Sequence, residues 1–330
     1  MLKALVVGYG SIGKRHIENL SSMKNIEIIV CTKRKYDKFL KQNKCKIYTS
    51  IKDCIKENPK FAIIANETRF HIKTALYLAK AGIHLLIEKP LSYSLTGTNE
   101  LLNLKNKKKL IILIGCNLRF HPCIEFMKKI ILQGDLGKII SVRVENGSFL
   151  PDWHKHENYK ISYAARNDLG GGAVLTSIHE IDYLYWFFGN ISNVFSVTGR
   201  FSELDTEAED LSAIILRFKN NVIAEAHIDY FQQPSARNCK IIGTKGTLTW
   251  DIEFNTVRFY DVKNKKWVEK LKLSNYNLNM TYIKELTHFI SCIENKDKPI
   301  NDLKEGIYTL KVALIVKKSS KLKKTLSLGR

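Results

Sequence analysis

Three groups of residues in this 330-residue chain have types and spacings suited to chemistry. The first is Gly8-Tyr9-Gly10-Ser11-Ile12-Gly13, which follows the apolar run Leu5-Val6-Val7 and precedes a helical pattern from Lys14 to Leu20. At this spacing Gly8 permits a tight turn, Gly10 lets a diphosphate approach the backbone, and Gly13 lets the helix pack closely on the strand. The start of such a helix favours an anion through its N–H groups and its dipole. The second group is Glu88-Lys89-Pro90, at the end of Leu85-Leu86-Ile87. A lysine there can bond a substrate hydroxyl and stabilise an alkoxide as hydride leaves, while proline fixes the backbone after it. The third runs from Gly170-Gly171-Gly172 through Thr176 and Ser177 to His179, Glu180 and Asp182. His179 can transfer a proton near neutral pH, and Asp182, three residues on along a helix, can orient it. Taken alone, a helical histidine such as His179 is more often a structural residue, with Asp182 a local cap or partner.

The elements that must position these groups are legible in the hydrophobic pattern. Strands are expected at Ala4–Val7, Ile26–Cys31, Phe61–Ala65, His84–Glu88 and Ile111–Cys116. Helices are expected between them near Ser11–Leu20, Tyr36–Gln42, Ile51–Asn58, His71–Ala81 and Ser94–Leu104. Such alternation implies a doubly wound parallel sheet of the α/β class, a Rossmann domain over residues 1–120. Ligands bind these sheets at the carboxyl ends of the strands, so Gly8–Gly13, the segment after Cys31, Asn66–His71 and Glu88–Pro90 should share a crevice. Beyond residue 120 the pattern changes to a helix near Cys123–Gln133, an extended segment Ile139–Leu150 and a helix spanning Gly172–Phe188. Strands with turn signals then follow to about Leu273. Residues 121–330 therefore read as an α+β domain with a large, mostly antiparallel open sheet, closed by helices near Tyr282–Glu294 and Leu303–Lys318. The last of these is expected to pack back on the first domain.

Composition excludes several classes. Hydrophobic residues make up 45% and charged residues 26%, which suits a folded globular chain. No apolar run is long enough to span a bilayer, and Met1 leads directly into a strand, giving the expectation of a cytoplasmic protein without a leader. Seven cysteines, with no CxxC pair, indicate neither a disulfide framework nor a zinc site. The net charge of +21 is scattered over many elements without interleaved aromatics, so neither nucleic acid nor a membrane is expected as partner. The second strand ends in Val30-Cys31-Thr32-Lys33-Arg34-Lys35, with no acid to accept bonds from an adenosine ribose. Thr32, Lys33 and Arg34 can instead bond and pair with a 2′-phosphate, which favours NADP over NAD, although a solvated basic turn would read the same way.

In order along nearly the whole chain, GxGxxGxRH at Gly8–His16, Asn66-Glu67-Thr68-Arg69-Phe70-His71, Glu88-Lys89-Pro90, Asn117-Leu118-Arg119-Phe120-His121-Pro122 and GGG…HEID resemble the glucose-fructose oxidoreductase / inositol dehydrogenase (Gfo/Idh/MocA) family. The resemblance implies nicotinamide-dependent oxidation or reduction of a sugar or nucleotide-linked sugar in a groove between two domains. It casts Lys89 and His179 as the catalytic pair, and Asn66, Thr68, His71, Glu88 and Asn117 as groove lining near the nicotinamide. Family members commonly carry an aspartate three or four residues before the histidine. Thr176 and Leu175 stand there, so a carboxylate would have to come from Glu180 or Asp182, or activity is reduced and the protein binds nucleotide with little turnover. The loop Ser148–Arg166 looks like that of family members from surface-polysaccharide gene clusters. Its Trp153, Tyr159 and Tyr163 offer apolar faces and Asp152, His154 and Arg166 hydrogen bonds to a sugar ring; packing of the loop on its own domain is the alternative. With Arg119, Thr176 and Asp182, residues Trp153, Tyr163 and Arg166 complete the expected substrate contacts. An exposed antiparallel sheet predicts a homodimer or homotetramer.

Overall fold

The computed structural model describes residues 2–153 and 158–329. Its chain forms two compact units, one of residues up to Cys116 with Tyr282–Tyr308, the other of Asn117–Thr281 with the residues from Thr309 on. In chain order the first segment runs β1 (Leu2–Val7), α1 (Ser11–Ser21), β2 (Ile26–Cys31), α2 (Lys38–Gln42), β3 (Lys46–Tyr48), α3 (Ile51–Lys56), β4 (Phe61–Ile64), α4 (His71–Lys80), β5 (His84–Glu88), α5 (Thr98–Lys108) and β6 (Ile112–Gly115). The second runs α6 (Pro122–Gln133), β7 (Ile139–Gly147), α7 (Ala173–Thr176), α8 (His179–Phe188), β8 (Ile191–Gly199), β9 (Leu211–Phe218), β10 (Ile223–Asp229), β11 (Ala236–Gly243), β12 (Gly246–Asp251), β13 (Thr256–Asp261) and β14 (Lys266–Lys272). The chain closes with α9 (Asn279–Asn295), α10 (Leu303–Leu322) and β15 (Leu326–Ser327).

In the first unit six strands pair in parallel in the order β3-β2-β1-β4-β5-β6. Of the central strands, β4 is buried along its length and β1 and β5 in all but their first residues, as a parallel sheet covered on both faces requires. Reversal of the order between β1 and β4 puts the carboxyl ends of these two strands at the switch point, where the glycine turn begins. Helix α9 returns to this sheet. Its Leu286, Phe289 and Ile293, at helical spacing, join the core, and the Phe289 ring meets Phe61 edge-on at 5.6 Å. A nucleotide domain continuous over 1–120 is thus corrected: it ends at Cys116 and is completed by residues from α9 and the first turn of α10.

The second unit is a nine-stranded sheet in the order β14-β13-β12-β11-β7-β10-β9-β8-β15, antiparallel except where β7 pairs with β10. Strict alternation in β9 shows one covered and one open face. Behind the covered face lies α10, with the buried Ser196 hydroxyl donating to the Val316 carbonyl at 2.6 Å. The open face carries Phe195, Val197 and Ile215.

Some boundaries depart from the sequence reading. Strand β3 was not expected; it has three residues, and Lys46 is exposed. Helix α2 starts late because Asp37 caps it, accepting the Leu40 N–H at 3.0 Å. The helix expected over Gly172–Phe188 is two, since Ser177, with φ −98° and ψ 34°, leaves the helical region between them.

Candidate functional site

In the first unit the glycine turn is built by contact. Gly8 has φ 105°, and a Cβ there would lie 2.5 Å from the Ala65 carbonyl oxygen. A Cβ on Gly13 would strike the carbonyl oxygen of Gly8, whereas nothing lies within 4 Å of one on Gly10. Gly8 and Gly13 therefore close the turn and Gly10 leaves its outer side open. Gly10 is the N-cap residue of α1 and, having no side chain, leaves the first N–H groups of the helix without a side-chain cap from that position. Open backbone beside an uncapped helix N-terminus fits the diphosphate of a dinucleotide, with Ser11, Ile12 and Gly13 offering their N–H groups.

Tyr9 behaves otherwise. Its side chain is buried, its hydroxyl donates to both oxygens of Asp37 at 2.8 Å, and Lys14 Nζ sits 4.9 Å from the ring centroid. Burial, then the bond to Asp37, pushes the Tyr9 hydroxyl up, while the Leu40 N–H and the Tyr9 hydroxyl hold the Asp37 carboxyl below its usual range. The expected contact through Tyr9 thus falls to its backbone. Sequence reasoning missed Asp37 because it lies six residues past β2. Before it, Thr32 Oγ1 accepts the Arg34 N–H at 3.1 Å and Lys33 and Arg34 are exposed.

The expected groove-lining residues divide. Asn66 donates from Nδ2 to Thr74 Oγ1 at 3.1 Å, and Thr68 is buried. His71 was expected to meet the cofactor, but it is 2% exposed, with Nδ1 2.9 Å from the Pro90 carbonyl oxygen and Nε2 2.9 Å from that of Asn66. Burial pushes its pKa down. Glu88 is likewise spent inside: Oε1 accepts from His16 Nε2 at 2.7 Å, and Oε2 accepts the Lys89 N–H at 3.2 Å. These are corrections with one cause: both side chains are buried and turned to groups of the protein itself, His71 between two backbone carbonyls and Glu88 towards His16 and the Lys89 N–H. Lys89 itself is half-buried and precedes a cis peptide bond to Pro90.

In the second unit Gly172 has φ 103°, and a Cβ there would strike the Glu209 carboxylate, whose Oε2 lies 3.0 Å from Lys317 Nζ. That close approach demands glycine before α7. Thr176 ends α7 and His179 opens α8, both about one-twentieth exposed. Neither acid after His179 is positioned as expected. Arg119 Nε and Nη2 donate to Asp182 at 2.8 and 2.9 Å, with both side chains inside the unit. Glu180 accepts from Arg237 Nε at 2.8 Å and is fully buried. Arg119 and Asp182, expected as substrate contacts, are a structural pair, because a buried charge is held only by an opposite one. Asn117 Nδ2 donates to Thr281 Oγ1 at 2.7 Å, inside the same unit.

The aromatic loop packs largely on its own unit. Trp153 Nε1 donates to Ser148 at 2.8 Å, and its ring meets the buried Tyr230 edge-on at 5.3 Å. Arg166 pairs with Asp168 at 2.7 Å on the surface, while Tyr163 and Tyr159 remain half-buried. His154 lies outside the described residues. Among the described residues no helix is long and apolar enough to cross a membrane.

Residues 2–116 match the model of the oxidoreductase family's NAD-binding Rossmann fold, and residues 128–328 match its C-terminal alpha/beta domain. The chain belongs to the Gfo/Idh/MocA family of oxidoreductases. A myo-inositol 2-dehydrogenase of Thermotoga maritima is 23% identical over 98% of this chain and 97% of its own. The fold is shared with a levoglucosan dehydrogenase solved with NADH (TM-score 0.90, 16% identity, 100% and 99% of the two chains). It is shared also with the WlbA dehydrogenase of Bordetella pertussis solved with NADH and UDP-GlcNAcA (TM-score 0.84, 19% identity, 100% and 98%).

Proposed function

We propose that this protein is a cytoplasmic dehydrogenase or reductase acting on a sugar or nucleotide-linked sugar in surface glycan precursor synthesis. The observation that carries it is the open Gly10 backbone at the uncapped start of α1, in the same unit as the strand end bearing Lys89. When bound, a nicotinamide dinucleotide takes up or gives the hydride. Lys89 supports the negative charge that grows on the substrate oxygen, and His179 takes the hydroxyl proton on oxidation and returns it on reduction. The glycan role rests on the loop Ser148–Arg166 and on the sugar nucleotide held by the WlbA relative. Exposed Phe195, Val197 and Ile215 on the open sheet favour a homodimer or homotetramer, readable by light scattering.

NADP is the proposed cofactor in preference to NAD. Lys33 and Arg34 stand exposed after β2, and the next carboxylate along the chain, Asp37, is engaged by Tyr9 and by the start of α2. Titration of both cofactors at equal ionic strength tests this; tighter NAD binding, or an Arg34→Ala variant with unchanged NADP affinity, overturns it. A second reading, a binding protein with little turnover, draws on the threonine at 176 and on the engagement of Glu180 and Asp182 by arginines. Absorbance in the reduced nicotinamide band during incubation with sugars and nucleotide sugars separates the two. Turnover that disappears in Lys89→Met supports the enzyme; dinucleotide binding with no turnover on any of them supports the binder.

A further inference from the structure

We infer that His16 and Glu88 form a positioning pair that sets the place of Lys89, with the His16 proton on Nε2. This rests on the oxidoreductase reading only for its kinetic consequence. The Glu88 carboxyl is gripped from three sides. Its Oε1 lies 2.7 Å from His16 Nε2, on the helix that follows the glycine turn. Its Oε2 accepts the backbone N–H of Lys89 at 3.2 Å. On the third side is Gly115 of β6, where a Cβ would come within 3.2 Å of Oε2 and 3.3 Å of the Glu88 Cα. A side chain there would crowd the carboxyl group. One residue further on, the Pro90 carbonyl is met by His71 Nδ1 at 2.9 Å. The backbone N–H of Lys89 is therefore held by Glu88, and the carbonyl of the next residue lies against the His71 ring.

The location of the proton follows from what surrounds the His16 ring. The side chain is fully buried, and its Nδ1 has no hydrogen-bond partner. The nearest ring, Tyr282, presents itself edge-on at 6.1 Å. An N–H at Nδ1 would be a buried donor without an acceptor, which is costly, whereas an N–H at Nε2 points at a carboxylate. His16 then donates to Oε1, leaving Oε2 for Lys89. Glutamine at 88 cannot reproduce this, because its single carbonyl oxygen serves one of the two donors and its NH2 faces the other. Neither His16 nor Glu88 needs to touch substrate or cofactor. Their effect passes through the backbone of one residue, and a displacement of about 1 Å at a reacting group is enough to cost on the order of a hundredfold in rate.

The test combines kinetics with proton placement. In Glu88→Gln, kcat should fall by about 10- to 100-fold. NADH and NADPH binding followed by fluorescence and KM for the sugar should stay near wild type, while the melting temperature falls by a few degrees because a buried donor loses its acceptor. His16→Gln, in which the glutamine Nε2 can take the place of the histidine donor, should keep most of the kcat lost in His16→Leu. A Glu88→Gln variant with weakened dinucleotide binding and intact kcat would make Glu88 a cofactor contact and overturn the proposal. Equal losses in His16→Gln and His16→Leu would do the same. If no sugar is turned over, the functional reading fails while this one stays open to measurement. Nitrogen-15 spectra of labelled histidine should then show His16 as the Nε2–H tautomer, with its hydrogen-bonded shift lost in Glu88→Gln. An Nδ1–H tautomer refutes it.

Discussion

Asparagine in place of Asp182 keeps the shape of the side chain and removes one charge from a pair sealed inside the second unit. The relative exposures of the Arg119 and Asp182 side chains are 0% and 2%, so water cannot replace the lost carboxylate. Breaking a buried pair from one side leaves a charge without a counterpart and costs about 3–5 kcal/mol. At about 2–4 °C per kcal/mol for a unit of this size, the melting transition should drop by roughly 6–20 °C. The double change Arg119→Met with Asp182→Leu removes both charges and should recover most of that loss, with methionine keeping contact with the Trp186 ring that now lies 5.5 Å from the guanidinium. Differential scanning calorimetry on the three variants, with sugar-dependent turnover measured alongside, separates structure from binding. An Asp182→Asn protein that melts within 2 °C of wild type but shows a raised KM would refute the structural assignment.

The glycine turn gives a contrast within one loop. Gly13→Ala should destabilise the first unit, since its Cβ would meet the Gly8 carbonyl; a bulky Gly10→Val side chain should leave melting nearly unchanged yet weaken dinucleotide binding by about tenfold or more. Isothermal titration and melting curves read the two effects separately. Acid stability should depend on Glu57, which the Tyr48 hydroxyl, Lys3 and Lys46 hold down to about 2. Because its unfolded value is about 4.3, the stabilisation is complete above that pH and is lost as pH falls towards 2. Glu57→Gln should flatten the stability profile in that window, and an unaltered slope between pH 4.5 and 2 would show that the cluster contributes nothing.

The parallel sheet was legible because buried strands such as Phe61–Ile64 are continuous apolar runs bounded by turns, and the glycine turn because each position has a separate steric duty. What escaped detection depends on pairing at a distance. Nothing local distinguishes an arginine that will meet a sugar from Arg119, whose partner lies 63 residues away. His16 belonged to a motif quoted from the sequence, yet its role depends on Glu88, 72 residues on. Asp37 was missed for a related reason: the stretch after β2 holds no acid as far as Lys35, while a tyrosine in the glycine turn reaches out to the carboxylate at the start of α2.

The division of the first unit between two stretches of chain bears on how the protein is made. Phe61, wholly buried in the finished molecule, has Phe289 against its ring, and Leu286 and Ile293 belong to the same core. When Cys116 leaves the ribosome these partners do not yet exist. Synthesis must continue for about 190 residues, roughly 10–40 s at typical rates of translation, before Tyr308 completes the unit. Over that interval the nascent sheet carries an uncovered apolar surface, so the nucleotide-binding half, first in sequence, waits on a late helix to close, and a nascent-chain chaperone has its clearest target there.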